Sequence, residues 1–393
     1  MSTYLHSLAI AAPDTAYEQD RIRRFMEEAI PVRDEKIARY LRRVYARSGI
    51  ETRHSVIRDL APGANDPFFV RNPDGSRAGP GTGARNDRFI RESKSLYVGL
   101  AREAIAKCPG LGPGDITHVV TVSCTGFFSP GPDYHIVREL GLPGNTQRYH
   151  LGFMGCYAAL PALRMAASFC RADPGARVLV VCVELCSLHI QLKADPDSIL
   201  AGALFADGGA AAVVSAANPA PGQAAFEIHD FESALVPGTE GDMAWRIGDL
   251  GFDMVLSTYV PQIIDRNIAR VIASLFRSRR LGLEDVGVWA IHPGGKAIVD
   301  KLEKSLGLDP EQVQPSREVL RKYGNMSSPT ILFVLDEILR APSARGRETV
   351  CAIAFGPGLT VETALLEKRA PFPAPGGSRA RSAESRLGTV QSG

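Results

Sequence analysis

Residues 146–171 read TQRYHLGFMGCYAALPALRMAASFCR. The piece from Tyr149 to Phe153 reads as a strand that runs into Met154-Gly155-Cys156, and a long run of small and apolar residues follows. That run has no polar face, which predicts a buried helix. A strand, a tight turn and a helix in succession point to a layered α/β protein. Cys156 then stands where a helix begins. The first N–H groups of a helix lack partners within it and the macrodipole is positive there, which favours a thiolate over a thiol. Gly155 gives the backbone beside the sulfur access to positive φ or a close approach.

Working outward, the chain has 393 residues, which at about 150 residues per domain suggests two or three domains or one duplicated unit. A net charge of +2 argues against a nucleic-acid partner and makes any basic site local. Seven Cys without a C-x-x-C pair argue against zinc and for a reduced, cytoplasmic setting. No window approaches 18 apolar residues, so no membrane span is expected.

The pattern of alternating strands and helices predicts an α/β fold with mostly parallel strands. Expected helices include 33–48, 92–107, 257–277, 296–306 and 330–339; residues 61–86 read as a long loop. In 33–48, Arg39, Arg43 and Arg47 fall at i, i+4 and i+8 and form one basic stripe, suited to a solvated face or a phosphate clamp. The order of elements repeats. Cys124 and His292 each close a strand, Cys156 and Asn325 each open a helix, and nearly equal stretches of chain separate the two pairs. Residues 1–222 and 223–370 therefore read as duplicated halves, with a Pro/Gly/Ala-rich hinge at 217–223. Residues 371–393, rich in Pro, Gly, Ser and Arg, read as a disordered tail.

Three residues at such loop positions carry chemistry together. Cys156 is a nucleophile in need of a base, His292 can serve as one, and the Asn325 amide can donate to a developing oxyanion. Each alone has a plainer reading: a buried thiol, a turn residue and a helix cap. Their convergence on one crevice is the expectation that gives them weight.

The segments FMGCYAALPALR, ALFADGGAAAV, WAIHPGGKAIVDKLE, YGNMSSPTILFVL and FGPGLTVETALL resemble type III polyketide synthases, the chalcone-synthase-like branch of the thiolase superfamily. The resemblance covers roughly residues 1–370. It implies a thiolase-like αβαβα five-layered fold with internal duplication and a homodimer. It implies that Cys156 carries the growing acyl chain as a thioester, while His292 and Asn325 hold malonyl-CoA as it loses carbon dioxide. It implies no cofactor or metal, because the CoA thioesters are substrates. Phe205 matches an aromatic between the CoA tunnel and the reaction cavity, Arg43 and Arg47 match CoA-phosphate contacts, and Gly356-Pro357-Gly358 matches a loop shaping the cavity wall.

Several positions depart from the plant pattern. Met254 stands for a second gatekeeping Phe, Cys124 and His189 for pocket Thr residues, and Ala201 for a pocket Gly. Ser129 falls where a Met crosses the dimer interface. These changes disfavour a coumaroyl starter and suggest a fatty acyl-CoA, leading to an alkylpyrone or alkylresorcinol. The alternatives are an enzyme using malonyl-CoA alone, a single-step β-ketoacyl synthase III-like enzyme, and a non-catalytic acyl-CoA-binding scaffold. A β-ketoacyl synthase III typically has Gln-Ala-Asn after the His, whereas Pro293-Gly294-Gly295 follows here. No motif for the catalytic Glu of an HMG-CoA synthase is apparent.

Overall fold

A computed structural model describes residues 2–30, 34–60, 67–73, 76–277, 279–342 and 347–369. In the N-terminal half, strands β1 (Thr3–Ala11) and β2 (Ala16–Glu18) precede helices α1 (Gln19–Ala29) and α2 (Glu35–Ala46). The short strands β3 (Thr52–His54), β4 (Val70–Arg71) and β5 (Arg77–Ala78) lead to α3 (Thr82–Ala106). Then follow β6 (His118–Ser123), α4 (Pro132–Leu140), β7 (Gln147–Gly152), α5 (Ala159–Ala172), β8 (Arg177–Leu185), α6 (Pro196–Leu204) and β9 (Asp207–Ser215). The second half runs β10 (Ala225–Leu235), β11 (Met243–Gly248), β12 (Gly251–Leu256), α7 (Val260–Arg277), β13 (Val288–Ile291) and α8 (Lys296–Leu306). It ends with α9 (Pro310–Tyr323), α10 (Thr330–Arg340), β14 (Arg347–Gly356) and β15 (Thr360–Arg369).

Nine strands form one mixed sheet in the order β13-β14-β15-β10-β1-β9-β8-β6-β7. The expectation of mostly parallel strands is corrected. Only β6–β7, β6–β8 and β13–β14 pair in parallel, and the remaining neighbours are antiparallel. Buried strands are apolar on both faces in either sense, so their composition does not reveal direction. Turn length does: three residues between β14 and β15 permit only a hairpin. Around the β1–β10 junction the order is symmetric, with β9, β8 and β6 on one side answered by β15, β14 and β13 on the other.

Alternation along the strands sorts the core. Val120, Val122, Val178 and Val180 join Val350, Ala352 and Ala354 in one cluster with α5 and α10, which therefore pack between the two halves of the sheet. Val119, Leu179 and Val181 face away, toward α1 and α3. Cys351, Ile353 and Leu365 face away on the other side, toward α7 and α8. The helix expected at 92–107 begins ten residues earlier, at Thr82. α9 was unexpected, because Pro315 interrupts its pattern. The tail at 371–393 and parts of the loop at 61–86 lie outside the described residues. Among the described residues, no helix is long and apolar enough to cross a membrane.

Candidate active site

Cys156 sits in a turn just ahead of α5, not within the helix itself: Ala158 N–H donates to Gly155 O at 3.1 Å, and α5 starts at Ala159. Gly155 has φ +88, and a Cβ on it would meet Pro357 Cδ at 2.7 Å. Only glycine therefore lets the turn and the Gly356-Pro357-Gly358 loop approach this closely. His292 follows β13 and Asn325 precedes α10, so the two halves of the sheet deliver the three residues to one place.

That place is a cavity of about 390 Å³. Cys156, His292, Asn325, Phe205, Met254, Cys124, His189, Ala201 and Pro357 line it, as do Arg43 and Arg47 at the α2 end. Gly356 and Gly358 flank Pro357 without lining the cavity. Ser129 lies in a second cavity of about 470 Å³ with Phe89, Tyr97, Phe127 and Phe128.

The polarity of the site is uneven. His292 is 1% exposed, and among the described residues neither ring nitrogen has a hydrogen-bond partner. Burial holds its pKa down near 3, against an ordinary 6.5. Burial pushes the Cys156 thiol up to about 11, with Ser327 and Asn325 pulling the other way. The sequence favours a thiolate at Cys156; burial works the other way, toward the thiol at Cys156 and the neutral imidazole at His292. Asn325 is oriented by two bonds: Ser327 N–H donates to its Oδ1 at 2.8 Å, and its Nδ2 donates to Gly294 O at 3.3 Å.

His189 differs. Phe252 N–H donates to its Nδ1 at 3.1 Å, which leaves Nε2 to carry the proton and donate to Thr125 O at 2.7 Å. Its ring stacks on Phe252 at 4.0 Å and meets Trp245 edge-on at 5.6 Å. Trp245 Nε1–H donates to Cys124 O at 2.7 Å. Phe127, whose ring lies parallel to that of Phe252 at 6.3 Å, lines the second cavity.

Sequence reasoning missed Glu184 and Trp245. Glu184 is fully buried and accepts from Ser123 Oγ, Cys124 N–H, Thr125 Oγ1 and Ser328 Oγ at 2.6–3.0 Å. Burial raises its pKa, with those bonds opposing. A lone carboxylate in the apolar strand RVLVVCVEL was the available signal. For Trp245 the signal was weaker: one of two Trp in the chain, beside a Gly-Asp turn.

Residues 3–219 match the family model for the N-terminal domain of chalcone and stilbene synthases, and residues 227–369 match the model for the C-terminal domain. The chain belongs to the type III polyketide synthases. This type III polyketide synthase is accordingly an acyltransferase. It is 35% identical over 330 residues, 83% of this chain and 81% of the relative, to the α-pyrone synthesis polyketide synthase-like Pks18 of Mycobacterium tuberculosis. PKS-I from the brown alga Ectocarpus siliculosus superposes with a TM-score of 0.86 at 34% identity, covering 94% of this chain and 98% of that one. The C-terminal type III domain of Steely1, a type I/III hybrid from Dictyostelium, gives 0.83 at 30% identity, with 94% and 100% covered. For a type III pentaketide synthase from Neurospora crassa the values are 0.81 and 28%, with 93% and 100% covered.

Proposed function

We propose that this polyketide synthase loads an acyl-CoA starter on Cys156, extends it with malonyl-CoA and cyclises the product to a pyrone or resorcinol. The observation that carries this reading is a buried, unpartnered imidazole and an oriented Asn amide sharing one cavity with a nucleophilic thiol. In loading, neutral His292 takes the thiol proton as sulfur attacks the thioester carbonyl, then returns it to the departing CoA sulfur. In extension, malonyl-CoA loses carbon dioxide, and its thioester oxygen takes the negative charge between the His292 N–H and the Asn325 amide. The enolate carbon attacks the acyl-Cys156 carbonyl and releases the cysteine sulfur for the next round. Arg43 and Arg47 receive the CoA phosphates. The two sheet halves, residues 1–222 and 223–370, are read as the thiolase-like αβαβα layers, and the active form as a homodimer.

Likeness to Pks18, whose name states α-pyrone synthesis, supports a pyrone product, and the departures at Met254, Cys124, His189 and Ala201 support a fatty acyl starter. The rings of His189, Phe252 and Trp245, which line the cavity, favour a second reading, a short starter or malonyl-CoA alone, because their bulk takes up cavity space. A panel of acyl-CoAs with labelled malonyl-CoA, read by product mass, separates them. A fatty acyl starter gives products that carry the added chain plus several two-carbon units. Turnover without any added acyl-CoA supports the second reading. A single two-carbon addition would point to a β-ketoacyl synthase, and acyl-CoA binding without turnover to a scaffold.

A further inference from the structure

Behind Phe205 and Asn325 lies a buried cation that the chemistry above does not use. Arg53 is 2% exposed and has no carboxylate within ion-pair distance among the described residues. Burial lowers its pKa, with Tyr45 and Asp207 opposing. A guanidinium taken out of water without an anion is costly unless its donors are well used.

Arg53 Nη1 donates to Gly202 O at 2.8 Å and to Phe205 O at 2.6 Å. Arg53 Nε donates to Gln19 Oε1 at 2.9 Å, and Gln19 Nε2 donates in turn to Ala203 O at 2.8 Å. The carbonyl left between them, Leu204 O, accepts from Asn325 N–H at 2.9 Å, and Ala206 N–H donates back to Asn325 O at 2.8 Å. All four carbonyls at the end of α6 are thus taken, three by this side-chain pair and one by the backbone of Asn325. The positive charge sits at the helix C-terminus, where the macrodipole favours it. Arg53 also lies flat against the residue before Asn325: a Cβ on Gly324, at φ +70, would meet Arg53 Cγ at 2.9 Å. Arg53 also stands over the Tyr45 ring of α2, its Cζ 5.8 Å from the ring centroid, and α2 is the helix that carries Arg43 and Arg47.

We propose that Arg53, held by Gln19, is a positioning residue that locks Phe205 and Asn325 to each other and so sets where the Asn325 amide meets the enolate oxygen. It touches no substrate. Its effect on catalysis rests on the proposed function, but its effect on the α6–Asn325 junction does not.

The test uses the full chain with Arg53→Lys, which keeps the charge but loses the fork, and Gln19→Leu. With Arg53→Lys, cooperative melting and alkylation of Cys156 are expected to stay near the parent. Malonyl-CoA decarboxylation should fall roughly tenfold or more in kcat with little change in KM, since misplacing a positioned group by about 1 Å can cost up to a hundredfold. Backbone hydrogen exchange should rise together in the peptides around 200–207 and 322–328, and stay unchanged around His292. Gln19→Leu should do the same to a smaller degree, and it decides the matter if Arg53→Lys does not fold. Parent-like exchange at both peptides in a folded variant would overturn the proposal, whatever the activity. Joint loosening with an unchanged decarboxylation rate would overturn the link to Asn325 chemistry. A parent that never decarboxylates malonyl-CoA would instead defeat the proposed function.

Discussion

His189 and His292 line the same cavity, and burial depresses both rings to about 3. The region around His189 uses both nitrogens in backbone bonds and stacks the ring on Phe252, with Trp245 edge-on to both rings. Around His292, both ring nitrogens are without a hydrogen-bond partner among the described residues, in the cavity that Cys156 and Asn325 also line. Similar burial therefore accompanies opposite hydrogen-bonding states. A ring whose hydrogen bonds are spoken for is a wall, whereas a buried ring with none bears an unmet desolvation cost that a substrate can relieve.

The largest test of that contrast is His292→Ala, expected to lower malonyl-CoA decarboxylation by about 10²–10⁴-fold, whereas His189→Ala should stay within about tenfold. Similar losses in the two would erase the distinction. Asn325→Ala comes next, with an expected loss of about 10²–10³-fold in kcat, the usual effect of removing one oxyanion donor. Steady-state carbon dioxide release measures both.

His189→Ala should show itself instead in stability. It leaves Thr125 O and Phe252 N–H unpaired, at about 1–3 kcal/mol by denaturant unfolding, and it should lengthen the acyl chains accepted. Both rings are neutral in the fold and would titrate near 6.5 when unfolded. The unfolded chain therefore binds more protons between pH 6.5 and about 3, and stability falls as pH drops through that window. The slope is up to about 1.4 kcal/mol per pH unit for each ring. Replacing His189 by Phe should flatten that slope by one proton. The smallest effect expected is on Cys156 labelling. With the thiol raised to about 11, iodoacetamide alkylation should climb only on the alkaline side of about 8.5. A midpoint below neutral would show that His292 and Cys156 close into an ion pair in solution.

Much of the chemistry was readable from local pattern. Cys156 was marked by the turn into an apolar helix, and His292 and Asn325 by their places at the ends of equivalent elements. Glu184 and Trp245 were not, because their meaning lies in partners 60 and 121 residues away. Of the stripe Arg39, Arg43 and Arg47, the resemblance singled out Arg43 and Arg47, and these two line the cavity. α9 escaped because helix propensity penalises Pro315, while packing against β13, α8 and α10 carries the helix.

The sequence by itself determined many of the elements, the candidate nucleophile and, through the resemblance, the family, because turn residues, apolar periods and motif spacing are local properties. Tertiary structure alone decided strand direction, the burial that disfavours charge on Cys156 and His292, and which of two buried histidines keeps its ring nitrogens free of partners among the described residues. Those depend on burial and on partners distant along the chain. A thiol and an imidazole have ordinary affinities for protons until the fold removes the water around them.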